Sequence, residues 1–183
     1  VKTKLIMVGG FDLDLTDIKS IIRIKEDFPQ KGISFKDITP VLMDAKAFRY
    51  VIKKLCEDFY GSNVDLVVGP EARGFIMGSS VAYELGTGFV PVRKPGKLPA
   101  DVEKYEYQLE YGMDALEIHK DAIKPGQKVI IVDDLLATGG TVSATARLVE
   151  SLGGIVEAFV FIIELTELGG RDRLKGYNVK SLI

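Results

Sequence analysis

Two adjacent carboxylates, Asp133 and Asp134, end the apolar run Val129-Ile130-Ile131-Val132, and Leu135-Leu136-Ala137-Thr138-Gly139-Gly140-Thr141 follows them. The apolar run predicts a buried strand, the small residues a tight loop, and the stretch from about Thr141 a helix. A helix N-terminus presents amide N–H groups without intrahelical partners and a partial positive charge. Glycine lets the backbone approach an anion with no Cβ in the way, and Thr138 and Thr141 add hydroxyl donors. Such a loop suits a monophosphate. The carboxylates would repel that phosphate, so their position beside it suits the vicinal hydroxyls of a sugar. Phosphate on one side and diol acceptors on the other describe a ribose 5-phosphate site. Other phosphate loops fit less well: Gly96-Lys97 runs into Leu98 and is no Walker loop, and Gly86-x-Gly88 meets Pro91 where a dinucleotide fingerprint needs its third glycine.

Strands and helices must alternate to hold that loop in place. Asp14 or Thr16 can cap a short helix bearing Leu15, Ile18, Ile21 and Ile22. Asp44 caps a clearer one, with Phe48, Val51, Ile52, Leu55, Cys56 and Phe59 on one face. Cys56 lies in that stripe and reads as core filling. Strands are predicted over Val64–Val68, Phe89–Arg93, Lys128–Val132 and Ile155–Ile163. A helix carrying Phe75, Ile76, Ala82 and Leu85 stops at Gly86, and another over Val142–Leu152 stops at Gly153-Gly154. Lys128–Val132 shows no polar alternation, as in a parallel strand covered on both faces. The expected fold is α/β, a central parallel twisted sheet flanked by helices, with ligands at the carboxyl ends of its strands. Two segments fall outside that core: Asp27–Leu42, rich in turn residues, and Lys94–Gly112, a long polar connection with three tyrosines.

Composition narrows the field. The chain has 183 residues, one domain's worth, with 24 Lys+Arg against 26 Asp+Glu and a net charge of −2, which argues against a basic nucleic-acid surface. A single cysteine excludes a disulfide framework and points to a reducing compartment, the cytoplasm; a single histidine, His119, excludes a multi-His zinc site. His119 reads as a surface or hydrogen-bonded residue. No apolar run reaches the ~18 residues of a membrane span, and the N-terminal stretch is broken too early by Asp12 and Asp14 for a signal peptide.

The stretch Val129–Thr141 resembles the phosphoribosyl-pyrophosphate motif of the type I phosphoribosyltransferases. Phe28-Pro29-x-x-Gly32-x-x-Phe35-Lys36-Asp37-Ile38, Glu71-Ala72-Arg73-Gly74-Phe75, Val92-Arg93-Lys94-Pro95-Gly96-Lys97-Leu98-Pro99, Leu109-Glu110-Tyr111-Gly112 and Glu164-Leu165-Thr166 resemble, in order and spacing, the adenine-specific branch of that family. The resemblance runs from about Phe28 to Leu174. It implies transfer of a 5-phosphoribosyl group from phosphoribosyl pyrophosphate to adenine, giving AMP and pyrophosphate.

That chemistry assigns roles. Ala137, Thr138, Gly139, Gly140 and Thr141 would hold the 5-phosphate, with Asp133 and Asp134 on the ribose. Arg73, Lys94 and Lys97 would meet the departing pyrophosphate. Mg²⁺ would come mainly with the substrate, bridging pyrophosphate and ribose oxygens near Asp133 or Asp134, with no all-protein metal cage. An oxocarbenium-like transition state must be shielded from water, so Lys94–Gly112 would be a lid, its Tyr105, Tyr107 and Tyr111 favouring closure. Glu110 would act at the imidazole side of adenine, as proton acceptor or hydrogen-bond partner. A base-binding hood would span about residues 1–42, with the core over about 43–183. Within the hood Phe35 would stack on the purine, worth about 1–3 kcal/mol, opposite Leu165, while the backbones of Ser34 and Lys36 read the base edge. The position of Lys36 is commonly Arg in the family, a harmless change where the contact is main-chain. Ala137 stands where enzymes for 6-oxopurines carry an Asp, which argues against hypoxanthine and guanine. A non-catalytic sensor of the same donor would want a DNA-binding segment, and the residues before the hood hold at most one short helix. The family's usual homodimer and a cis Glu71–Ala72 bond are further implications.

Overall fold

In the computed structural model, the described residues are 13–108 and 113–183. They divide into two units, one reaching Tyr50 and the other spanning Val51–Ile183.

In the first unit, Asp14 and Asp17 close a reciprocal capping box on helix α1 (Leu15–Ile21), with Asp17 N donating to Asp14 Oδ1 at 2.9 Å and Asp14 N to Asp17 Oδ2 at 3.0 Å. Ile18 is its buried residue. Strand β1 (Arg23–Lys25) pairs antiparallel with β2 (Phe35–Asp37), and Arg23 reaches its cross-strand neighbour Asp37 at 3.2 Å. Asp37 also accepts from Thr39 N at 2.9 Å, which starts helix α2 (Thr39–Met43). The turn-rich segment read from sequence as lying outside the core is thus a small hairpin followed by a helical turn. Helix α3 (Ala45–Cys56) begins in this unit and ends in the next; Asp44 Oδ1 accepts from Lys46 N at 2.8 Å and Ala47 N at 3.0 Å, the expected cap.

The second unit is built on a five-stranded parallel sheet. In chain order it contains β3 (Leu66–Pro70), α4 (Arg73–Leu85), β4 (Gly88–Val92), β5 (Val102–Gln108), β6 (Met113–His119), β7 (Lys128–Leu136), α5 (Gly140–Ser151), β8 (Ile155–Glu164) and β9 (Val179–Ser181). The sheet order is β4-β3-β7-β8-β9, and β5 and β6 form a separate antiparallel hairpin. Central β7 is inaccessible from Val129 through Val132, with Phe159 and Phe161 of β8 equally buried. This confirms the expected parallel α/β sheet. Cys56 is core filling, as read: it is fully buried, and burial pushes its thiol up to about 12.

Three elements depart from the sequence reading. Strand β3 is displaced toward Pro70, because its pairing with β4 continues through Gly69–Pro91 and Pro70–Val92. The long polar connection is not irregular throughout: Val102–Gln108 is a strand, held by cross-strand pairing to Met113–His119 that no local pattern announced. Strand β7 runs past Val132 to Leu136, because β8 pairs with it as far as Glu164. None of the helices among the described residues is long and apolar enough to cross a membrane.

After β8 the chain makes two 3₁₀ turns, Thr166–Leu168 and Gly170–Leu174. The second lies backbone against backbone on the loop following β7. A Cβ on Gly170 would collide with the Ala137 carbonyl oxygen and come within 3.0 Å of Leu136 Cδ1, while a Cβ on Gly139 would lie 2.7 Å from the Gly170 carbonyl oxygen. Gly170→Ala is expected to lower the unfolding free energy by about 1–3 kcal/mol in urea denaturation. Gly140→Ala, whose Cβ would meet nothing closer than 3.7 Å, is expected to cost none. Equal stability of the two variants would refute the close contact.

Candidate active site

Asp133 and Asp134 sit within β7 rather than beyond its end: Asp133 is paired with Phe161 and Leu135 with Ile163. The sequence reading stopped this strand at the first charge, whereas the sheet carries the carboxylates as rigid strand residues. After Leu136 the chain turns through Ala137 and Thr138 to Gly139, which adopts φ 78°, and α5 starts at Gly140 with no side chain capping it. Its first turn is closed by Ser143 N donating to the Gly139 carbonyl at 2.9 Å. The uncapped helix start, reached through a left-handed glycine, has the form expected of an anion cradle.

Beside the cradle, α4 begins against the end of β7. Arg73 Nε lies 2.6 Å from Asp134 Oδ2, in an ion pair whose carboxylate is only 4% exposed. The guanidinium neutralises Asp134 and serves Oδ2 as a charged partner, while the two-oxygen carboxylate keeps acceptor capacity that suits a sugar hydroxyl. Asp133 Oδ1 accepts from Asp134 N at 2.8 Å and would lie 3.1 Å from a Cβ on Gly74. Burial, then the charge of Asp134, push the Asp133 carboxyl well above the usual carboxylate range. Asp134 is also raised by burial, with Arg73 pulling it back down. The Glu71–Ala72 peptide that precedes Arg73 is cis, as the resemblance implied.

The β5–β6 hairpin supplies a connection that the sequence reading missed. Lys94 forms a close ion pair with Asp114, and Tyr107 donates to the same carboxylate at 3.2 Å. Burial raises the Asp114 carboxyl, but the Lys94 hydrogen bond and the Ala115 N–H outweigh it and hold it below its usual value. Burial raises the Tyr107 phenol, and the Thr141 hydroxyl beside it lowers it again. Lys94 and Thr141, expected at opposite ends of the donor, thus stand on either side of Asp114 and Tyr107. Lys97 is exposed, and its carbonyl accepts from Arg93 Nη1 at 3.3 Å. Asp114 gave no sequence signal because it stands alone in an otherwise ordinary strand.

The residues expected at the base divide between the units. In the first, Ser34 Oγ donates to Glu26 at 2.9 Å, Lys36 Nζ donates to Ser34 Oγ at 3.0 Å, and Phe35 packs edge-on to Phe28 with centroids 5.2 Å apart. In the second, Leu165 is half-buried just after β8, its N–H donating to the Leu136 carbonyl at 2.9 Å. Glu110, together with Leu109, Tyr111 and Gly112, lies outside the described residues. His119 departs from expectation: its Nε2 is buried and has no hydrogen-bond partner among the described residues.

The chain is similar to known proteins over most of its length. The phosphoribosyl transferase domain family matches residues 34–181. A relative from Caldanaerobacter subterraneus subsp. tengcongensis, called adenine phosphoribosyltransferase, is 63% identical over 171 residues, covering 93% of this chain and 99% of its own. The crystal structure of adenine phosphoribosyltransferase from Thermoanaerobacter pseudethanolicus is 63% identical with a TM-score of 0.91, covering 93% of this chain and 99% of that one. The Saccharomyces cerevisiae enzyme, solved with an imino-altritol bisphosphate and adenine, is 41% identical with a TM-score of 0.87, covering 92% and 98%.

The acid pair has a signature in pH. Both folded-state values lie above the ordinary Asp value of 3.8. The stability they contribute is therefore complete at lower pH and is lost as pH rises through the folded-state values. Asp133→Asn cannot ionise, so its melting temperature is expected to gain on the unmodified protein as pH rises from about 4 toward neutrality. A gap between the two melting curves that stays constant with pH would exclude a raised Asp133.

Proposed function

We infer the reaction from one premise: the chain belongs to the phosphoribosyl transferase domain family. Within it the chain is an adenine phosphoribosyltransferase, transferring the 5-phosphoribosyl group of phosphoribosyl pyrophosphate to adenine and releasing AMP and pyrophosphate. The observation that carries this reading is the uncapped start of α5 at a left-handed Gly139, directly after a strand holding two desolvated carboxylates.

The chemistry breaks the bond from C1′ to the pyrophosphate oxygen and forms one to adenine N9, which loses its proton. Amides and hydroxyls of Ala137–Thr141 hold the 5-phosphate and fix the sugar in the crevice. Asp133 and Asp134 accept from the ribose diol, and their negative charge favours the cationic character growing at C1′. Arg73, Lys94 and Lys97 take up the charge that develops on the pyrophosphate. For Arg73 this means exchanging the Asp134 carboxylate for a phosphate oxygen, which frees Asp134 to receive a hydroxyl.

Phe35 stacks on the purine while the Ser34 and Lys36 backbones read its edge, Leu165 adds an apolar contact to the base, and Glu110 is its proton acceptor or hydrogen-bond partner on the imidazole side. A magnesium ion would come mainly with the donor, near Asp133 or Asp134, and would neutralise the leaving group. The hood at about residues 1–42, the lid at about 94–112, a homodimeric assembly and a cytoplasmic setting complete the proposal, supported by the family resemblance and the one free cysteine.

Incubation with phosphoribosyl pyrophosphate, Mg²⁺ and each purine in turn is expected to yield AMP from adenine and negligible nucleotide from hypoxanthine or guanine. Preference for hypoxanthine would overturn the assignment. Glu110→Ala is expected to lower kcat by about 10²-fold or more with little change in donor binding. Gly139→Val, which places side-chain atoms at a left-handed φ against Gly170, is expected to abolish donor binding. Titration of the donor into each variant separates the two effects.

A further inference from the structure

We propose that Arg173 binds the 5-phosphate of the substrate, giving the cradle the fixed positive charge that its own residues lack. Ala137, Thr138, Gly139, Gly140 and Thr141 are all uncharged. Their amides and the helix terminus must hold a phosphate close to two carboxylates. Arg73, the cation on that side, faces Asp134.

Arg173 stands on the 3₁₀ turn Gly170–Leu174, which the Gly139 and Gly170 contact locks onto the loop. Its Cβ is 3.5 Å from where a Cβ on Gly139 would lie, and its Nη1 is 3.8 Å from where one on Gly140 would lie. The side chain therefore runs along the loop from one glycine to the next, ending with the guanidinium over the start of α5. Neighbouring cations are committed elsewhere. Arg171 grips Glu164 at 2.7 Å, and Lys175 meets Asp172 at 3.2 Å. Arg173 makes no ion pair or side-chain hydrogen bond among the described residues. A free planar donor fork at the mouth of an amide cradle matches the oxygens of a phosphate dianion.

This inference rests on the ribose 5-phosphate reading of the site, and the test separates the two. AMP and adenosine differ only in the phosphate, so each is titrated calorimetrically into the full chain, into Arg173→Gln and into Arg173→Lys. Arg173 is exposed, so neither substitution disturbs the core. Arg173→Gln is expected to weaken AMP about ten-fold or more and leave adenosine within about two-fold. Arg173→Lys is expected to recover part of the loss, and the KM for phosphoribosyl pyrophosphate to follow AMP affinity while kcat holds. Unchanged AMP affinity in Arg173→Gln overturns the proposal, as does an equal loss of AMP and adenosine, which would mark a structural role. If the unmodified chain binds AMP no better than adenosine, the phosphate site itself falls, and the role of Arg173 with it.

Discussion

The site depends on a backbone contact that two glycines permit. The loop after β7 can turn into α5 only through a left-handed residue at Gly139, and the turn after β8 lies so close that neither Gly139 nor Gly170 has room for a Cβ. Protein interiors pack with few voids, so this approach fixes the loop against a segment about thirty residues away in sequence. The amides at the start of α5 are thereby held in place before any anion arrives. Preorganised donors of that kind act without reorganisation during the reaction. The same contact decides which side chains overlook the loop, because everything on the Gly170–Leu174 turn is carried into position with it.

A second constraint is electrostatic. Two adjacent carboxylates in the central strand are both desolvated, which favours protonation, and at Asp133 the charge of Asp134 adds to the effect. The Arg73 guanidinium opposes this at Asp134, where it lies 2.6 Å away. For Asp133 the Arg73 charge is only a minor counterweight to burial and to Asp134. On the proposed reading, the Arg73 cation that covers Asp134 would turn to the anionic leaving group and free that acid for the sugar, so that donor binding and diol recognition would be coupled through this one side chain.

Much of this was legible in the chain. The apolar run before Asp133, the glycines after it and the i, i+3, i+4 stripe behind Asp44 are local signals with local causes, and the sheet, the helices and the phosphate loop follow from them. What escaped depends on partners distant in sequence. Strand β7 continues through two charges because β8 runs beside it. Val102–Gln108 forms a strand because Met113–His119 lies opposite, although its composition reads as a polar loop. Asp114 matters for its proximity to Lys94 and Tyr107, and Arg173 for the backbone contact between Gly139 and Gly170; neither belongs to a motif that spacing could reveal.

The hairpin shows why the two ends of the site cannot be treated as independent. Thr141 lies beside Tyr107, Tyr107 donates to Asp114, and Asp114 pairs with Lys94. A phosphate seated at the start of α5 would compete for the Thr141 hydroxyl, and a pyrophosphate reaching Lys94 would compete with Asp114. Each competition removes one link and leaves the next polar group to find a new partner. Leaving a half-buried polar group unpaired costs on the order of 1–3 kcal/mol. A ligand that satisfies only one end must therefore leave a cost at the other, while the donor, with a phosphate at each end, can satisfy both. On the proposed reading the chain of contacts would favour the whole donor over its fragments, a form of selectivity arising from the free protein's own contacts as well as from those with the ligand.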